Sequence, residues 1–320
     1  MSNPQIATDE DFLQNLSENT KSFWVGRPGK PIEILENPTP LEFMKAVSQY
    51  TPVILRGVID DWRIMRDEDP VETLRRHSSS EIEVNFTTHG NADSVESSTD
   101  LGRDIFIYPA AVTIPFNSFL DMLEHHEDGD AVPYLSEQND NLRRSFPDFI
   151  EEIEPSIALA DSVFGAEKLE AVNVWLGDER SVTSLHKDYF ENMYAVVKGE
   201  KTFHLFPPTD TVFLPEATYP TFRYELKSEF PRPFPSRHIR KEDIVLQEVS
   251  ESPTISWIGM DPTNQNHIEK FPQSNYASCL ECKLRVGEVL YIPAMWYHRV
   301  SQSCTTLAIN FWYDMEFDHR

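Results

Sequence analysis

From about residue 171 the chain becomes a succession of short apolar runs separated by turn residues, a pattern that points to a β-sandwich or barrel. Ala171-Val172-Asn173-Val174-Trp175-Leu176-Gly177 comes first and Tyr189 to Val197 follows. Strands are then expected at Cys282 to Val286, Glu288 to Ile292, Tyr297 to Gln302 and Thr305 to Tyr313. Lys198-Gly199-Glu200-Lys201 reads as a tight hairpin, and Pro207-Pro208 ends the strand after it, since proline gives no donor to a ladder. Residues 208 to 272 are rich in proline and aromatics, as in Phe230-Pro231-Arg232-Pro233-Phe234-Pro235. They are too long for an ordinary connection, so a lid or substrate-binding insertion is expected there.

Upstream the pattern is mixed. Residues 1 to 50 read as irregular chain and short helices, including Pro40-Leu41-Glu42-Phe43-Met44-Lys45-Ala46-Val47. Residues 51 to 170 read as mixed α/β elements bracing the later strands. Within them Pro52 to Val58 is a buried strand ended by glycine, and Glu81 to Phe86 alternates like a half-exposed strand. Asp69 to His77 and Ile114 to His125 have helical spacing, and Asn91 to Thr99 reads as a polar loop.

Two histidines and an aspartate stand out within the strand-rich part. His186-Lys187-Asp188 lies between two strand-like runs, and His298 closes Tyr291-Ile292-Pro293-Ala294-Met295-Trp296-Tyr297-His298. Two imidazoles and one carboxylate from separate strands are the ligand set of a non-haem iron(II) centre with open positions. Spacing alone does not select this site, because His125/Glu127, His126/Asp128 and His267/Glu269 share it. Those three lie in charged or polar stretches, where solvated side chains are the default. Only His186 and Asp188 have strand flanks, and residues i and i+2 of a strand share a face.

Charge and cysteine content narrow the classes further. A net charge of -25 argues against nucleic-acid binding, which needs a basic footprint. Its bland meaning is a solvated surface, and its sharper meaning is steering of a basic, lysine-bearing protein. No apolar run approaches a membrane span, and the start lacks a basic segment followed by an apolar one, which together read as a soluble intracellular protein of the cytoplasm, with the nucleus also open. Cys279, Cys282 and Cys304 are too few for a disulfide framework; Cys279-Leu280-Glu281-Cys282 lacks the second pair or the histidines of a zinc site.

Three protein ligands leave three positions on iron(II), enough for a bidentate 2-oxo acid and dioxygen. The distal carboxylate of a five-carbon 2-oxo acid then needs a fixed cation and hydroxyl donors inside the barrel. Lys201 is the candidate cation, facing the same interior if the register holds, although alone it would read as a surface lysine. Thr183 and Tyr134 are candidate donors, Asn192, Tyr194 and Asn310 candidate pocket residues, and Trp312 packs beside them.

Several blocks in order carry a family resemblance. They are Pro52-Val53-Ile54-Leu55-Arg56-Gly57 with Asp61-Trp62, Thr183 to Asp188, Glu191-Asn192-Met193-Tyr194, Lys198 to Lys201, Gly287 to His298, and Asn310-Phe311-Trp312-Tyr313-Asp314-Met315-Glu316. Over residues 40 to 318 the chain resembles the JmjC oxygenases, and within them the small cytosolic (3S)-lysyl hydroxylase type. The resemblance implies a mainly β fold with helical additions, built on a double-stranded β-helix (jelly roll, cupin-like) of eight core strands over 171 to 318. It implies iron(II) held by His186, Asp188 and His298, and 2-oxoglutarate held by Lys201 with Thr183 and Tyr134. It implies decarboxylation of that co-substrate to succinate, coupled through dioxygen to hydroxylation of a protein C–H bond. Related hydroxylases continue into C-terminal helices that help form a dimer. This sequence stops at Asp318-His319-Arg320, so dimerisation by that route is not expected and the oligomeric state stays open.

Histone lysine demethylation uses the same oxidation on an N-methyl group and is the second enzymatic reading. Small size, the lack of Cys/His-rich reader segments and aspartate rather than glutamate in the triad favour hydroxylation. A catalytically silent binding module has no evident need for an interior lysine. A cupin-like isomerase usually carries a compact His-rich motif, absent here. For a peptidase, no water-activating glutamate beside the triad or nucleophile signature is seen.

Overall fold

Two different burial patterns in the strand-rich half show how its layers stack. Phe190–Lys198 is buried almost throughout, whereas Glu200–Phe206 alternates buried and half-buried positions. A strand covered on both faces needs apolar residues at every position, and one covered on a single face needs them at every second.

A computed structural model of the chain describes residues 9–23, 31–77, 81–227 and 238–315. Strands are numbered along the chain. The first sheet runs β1 (Glu33–Glu36), β2 (Val53–Arg56), β17 (Glu288–Ile292), β11 (Phe190–Lys198), β19 (Thr306–Asp314), β9 (Leu169–Gly177). The second runs β16 (Leu280–Arg285), β12 (Glu200–Phe206), β18 (Tyr297–Gln302), β10 (Val182–Lys187), β4 (Asn91–Ala92). The four antiparallel strands β17, β11, β19 and β9 face β16, β12, β18 and β10, which makes the double-stranded β-helix. Between them Trp175, Tyr194, Val196, Leu290, Ile292 and Ala308 of the first sheet pack with Phe203, Leu205, Cys282, Leu284 and Val300 of the second.

The other face of the first sheet is covered too. Val172, Val174, Met193, Ala195, Tyr291, Ile309 and Phe311 join a cluster with Phe43, Trp62, Leu74 and Phe119. The helices that supply this cover are α2 (Pro40–Ser48), α3 (Pro70–Arg76), α4 (Phe116–Glu124), α5 (Asn141–Ser145) and α6 (Ala158–Phe164). Thr39 and Glu42 close a capping box that starts α2, and Phe43 then meets the Tyr291 ring edge-on at 5.4 Å. α1 (Asp9–Phe23), which holds the Tyr276 carbonyl through the Ser17 hydroxyl at 2.7 Å, packs against the single turns at Pro208–Val212 and Pro272–Tyr276, and the second of these also meets α7 (Gln265–Lys270).

Two smaller sheets complete the fold: β7 (Ala110–Pro115), β3 (Glu81–Thr87), β8 (Val132–Tyr134), and β14 (Ile244–Glu248), β13 (Glu216–Leu226), β6 (Arg103–Tyr108), β5 (Ser94–Ser98), with β15 (Thr254–Ile258) also on β13. β3 is more buried than its alternating start suggests, because it is the central strand of its sheet. The expected polar loop at Asn91 to Thr99 is instead β4, a turn and β5, paired to β10 and β6. Ile114 and Pro115 end β7 rather than begin α4. Residues 1 to 50 include a strand, β1, that adds in parallel to β2. The 208 to 272 region contributes β13, β14, β15 and α7, while its Phe230 to Pro235 run lies outside the described residues.

The Lys198–Lys201 hairpin is also corrected. β11 pairs with β17 and β19, and β12 with β16 and β18, so this turn is a corner carrying the chain from one sheet to the other. Gly199 stands there at φ +81°, where a Cβ would meet the Thr306 hydroxyl and, at 2.7 Å, the Thr305 carbonyl oxygen. Gly199→Ala is therefore expected to cost about 1–3 kcal/mol in equilibrium unfolding, for strained backbone plus a clash that backbone cannot evade. A variant as stable as the parent in urea would show that the corner relaxes freely.

Candidate metal centre

β10 and β18 are neighbours, and their register sets His186 directly opposite His298. The two imidazole rings lie 4.3 Å apart between centroids. Asp188 follows the end of β10 and turns its carboxylate to both, with Oδ2 3.7 Å from His186 Nε2 and 3.4 Å from His298 Nε2. Among the described residues this is the one group whose ligand atoms converge for a metal, all within 4.8 Å of one another.

Backbone carbonyls fix both rings. His186 Nδ1 donates to Ser184 O at 2.8 Å and His298 Nδ1 to Trp296 O at 3.0 Å, which leaves the Nε2 lone pairs for the centre. The turn before His298 is held just as closely. Ala294 N and the Tyr291 hydroxyl donate to Glu191, Met295 N donates to Asp188 O at 2.7 Å, and the Tyr50 hydroxyl donates to Ala294 O. Met295 sits at φ +65°, an unfavourable conformation for its side-chain type that these contacts hold in place.

Electrostatics match the geometry. Burial disfavours the Asp188 anion, but the charge and hydrogen bond of His186, with those of His298, hold its carboxyl far below the usual range. Burial pushes His186 down, and the charge of Asp188, its hydrogen bond and the Ser184 carbonyl together carry it above its ordinary value. An anion that persists when buried, faced by two oriented imidazoles, suits a divalent cation with open positions.

The chamber around this group is lined by Thr183, Asn192, Tyr194, Asn310 and Trp312, together with Gln138, Trp175 and Val300. Asn310 takes a hydrogen bond from Trp175 Nε1 at 2.8 Å and gives one to Asn192 at 3.2 Å, which sets both amides. The buried Trp312 indole N–H has no acceptor among the described residues. Lys201 and Tyr134 stand beyond these walls. Lys201, 1 % exposed, lies opposite Gln302 in the β12–β18 ladder, and its Nζ donates to Gln302 Oε1 and, at 3.1 Å, to the Tyr134 hydroxyl. Tyr134 hydrogen-bonds in turn to Thr183.

No carboxylate acts on Lys201, and burial alone pushes its pKa down to about 7. A buried ammonium with neutral partners lacks a counter-ion, so a ligand carboxylate fits here. Thr183 and His186 are three apart and would take opposite faces in a regular strand. A bulge in β10 between them, spanning two residues of β18, turns both inward.

The other His-x-acid pairs do not form sites. His125 pairs with Asp121 at an exposed helix end, His126 approaches Asp178 and Glu179, and His267 Nδ1 accepts from Asp261 N. Cys279, Cys282 and Cys304 are free thiols, and burial pushes Cys282 up to about 12. Sequence reasoning missed Gln302 and Ser184. His298, Val300 and Gln302 share a face by period two, which was the available signal for the first; Ser184 acts through its carbonyl and had none.

The geometry has counterparts among known proteins. Residues 38–319 match the cupin-like domain family. The human "Bifunctional peptidase and (3S)-lysyl hydroxylase JMJD7" is 35% identical over 88% of this chain and 83% of its own length. The Arabidopsis thaliana "Lysine-specific demethylase JMJ32" is 35% identical over 88% of this chain and 81% of its own. The Dictyostelium discoideum "JmjC domain-containing protein E" is 31% identical over 96% and 90%. The chain belongs to the cupin-like JmjC family.

Proposed function

We propose that this cupin-like JmjC protein is an iron(II)- and 2-oxoglutarate-dependent hydroxylase that acts on a lysine of a basic partner protein. One observation carries the reading: the inner face that presents His186, Asp188 and His298 also presents a buried, unbalanced ammonium at Lys201. A metal site alone suits many chemistries, and a silent binding module has no use for Lys201. When bound, iron(II) with 2-oxoglutarate and dioxygen supplies the oxidation: one oxygen atom goes to succinate as carbon dioxide leaves, and the other becomes the hydroxyl on the substrate carbon.

The residues of the chain make this selective. His186 and His298 stay in the tautomer that offers Nε2, because Ser184 O and Trp296 O hold the opposite nitrogens. Lys201 binds the distal carboxylate of the co-substrate, and the Tyr134 and Thr183 hydroxyls complete the cradle. Tyr134 remains a neutral phenol, since burial raises its pKa. Asn192 and Asn310, locked by Trp175, present fixed amides to the reacting groups, and Trp312 stacked on Phe190 at 4.8 Å closes the wall.

Protein incubated with iron(II), ascorbate, 2-oxoglutarate and basic candidate proteins should release succinate and add one oxygen to lysine, read by mass spectrometry of the partner. Loss of a methyl group would assign it to demethylation, the activity in the name of the Arabidopsis relative. Peptide cleavage without succinate would overturn the oxygenase reading.

A further inference from the structure

We propose that Asp93 is the specificity-determining carboxylate of this site, holding the ammonium of the substrate lysine at the wall of a cavity of about 690 Å³ beside the metal chamber. The inference rests on the oxygenase reading and adds a residue and a chemical group to it. Gln138 belongs to the walls of both spaces, so the two adjoin. Asp93, Tyr108, Glu137 and Arg223 also line it.

The fold ties Asp93 to the metal ligand through one residue. β4 runs parallel to β10, and immediately after it Ser184 donates its hydroxyl to the Asp93 carbonyl. The same Ser184 takes the His186 ring N–H on its carbonyl, and its hydroxyl accepts from Trp257 Nε1 at 3.1 Å. Trp257 in turn stacks on His186, with centroids 6.0 Å apart and planes at 3°. A substrate group gripped by Asp93 is thereby indexed to the metal position rather than to a loose loop.

The chemistry of Asp93 singles it out. Its carboxylate accepts no hydrogen bond from the described residues, while its backbone is held at φ +49°. Burial raises its pKa to about 6 against the pull of His186 and Arg223, so near neutrality it is an anion that feels two nearby charges and is hydrogen-bonded by neither. Glu137, raised by burial, by Glu83 and then by Asp93 itself, adds a second carboxyl group to the same cavity. Arg223 is exposed and lies over the Tyr108 ring at 5.3 Å, without an ion-pair contact to Asp93, so an incoming cation would compete with a solvated guanidinium and not with a formed salt bridge. A lysine ammonium offers three donors at the end of a flexible apolar chain, whose methylenes then lie toward the chamber.

The test uses Mn(II)-loaded protein with 2-oxoglutarate and three peptides, Ac-Gly-Lys-Gly-NH2 and its norleucine and N6-trimethyllysine counterparts, titrated by calorimetry and by Mn(II) relaxation of peptide protons. The lysine peptide should bind about tenfold or more tightly than the norleucine peptide, the scale of a charge-assisted hydrogen bond, with the trimethyl form between them. Asp93→Asn should erase the preference; asparagine tolerates positive φ as aspartate does, so the backbone is kept. Equal binding of lysine and norleucine by the parent, no detectable lysine-peptide binding, or an unaltered preference in Asp93→Asn would each overturn the proposal. Succinate release reads the oxygenase chemistry separately, so its failure is distinguishable from failure of this recognition.

Discussion

Asp188→Ala should lose metal binding by more than about 100-fold and reduce succinate formation to background, while the protein remains folded. The magnitude follows from position: changes to groups that merely orient ligands cost about 10–100-fold, and Asp188 faces the centre itself. It is also the only anion of the set. His186 and His298 keep their carbonyl partners in the variant, but a divalent cation would then lack both a ligand and the charge that offsets its own. The fold should survive because Met295 N donates to the Asp188 backbone carbonyl, which alanine retains. His186→Ala should act in the same direction, through the other end of the 3.7 Å contact. Mn(II) titration and coupled succinate detection measure the two effects. Parent-like affinity in either variant would remove the triad from its role.

How far the chain discloses this depends on the kind of interaction. Most core strands follow from apolar runs bounded by turn residues, the count of eight from the family resemblance, and the shared inward face of Asn192 and Tyr194 from period two, because burial on a sheet face acts residue by residue. The same logic fails at Lys198–Lys201. A hairpin and a corner between sheets use the same glycine turn, and only the long-range partners of β11 and β12 tell them apart. Thr183 shows in the sequence only as a hydroxyl near His186, and the face the two share depends on the bulge in β10, an irregularity no alternation pattern displays. Asp93 lies in a stretch whose composition is that of a polar loop. Its significance comes from pairing of β4 with β10, across a sequence separation that local propensity does not see.

The second large effect concerns Lys201, and pH exposes it. Its pKa is depressed to about 7 in the free protein, against an ordinary value of 10.5, because burial penalises the ammonium. Between those two values the unfolded chain binds more protons than the folded one, so this group lets stability rise with pH there and costs most below about 7. Co-substrate binding has the opposite dependence. The distal carboxylate needs the charged ammonium, so above pH about 7 binding must take up a proton, and affinity for 2-oxoglutarate should fall by up to about tenfold, or about 1.4 kcal/mol, per pH unit. Calorimetry with Mn(II)-loaded protein in two buffers of different ionisation heat would show that uptake directly. Lys201→Met, similar in length and uncharged, should weaken co-substrate binding by about 100-fold at neutral pH and flatten this dependence. It should not lower thermal stability, since an apolar side chain replaces a buried cation whose partners, Tyr134 and Gln302, are neutral. An affinity in the parent that stays constant across pH, or one unchanged by the substitution, would place the carboxylate of the co-substrate elsewhere than on Lys201.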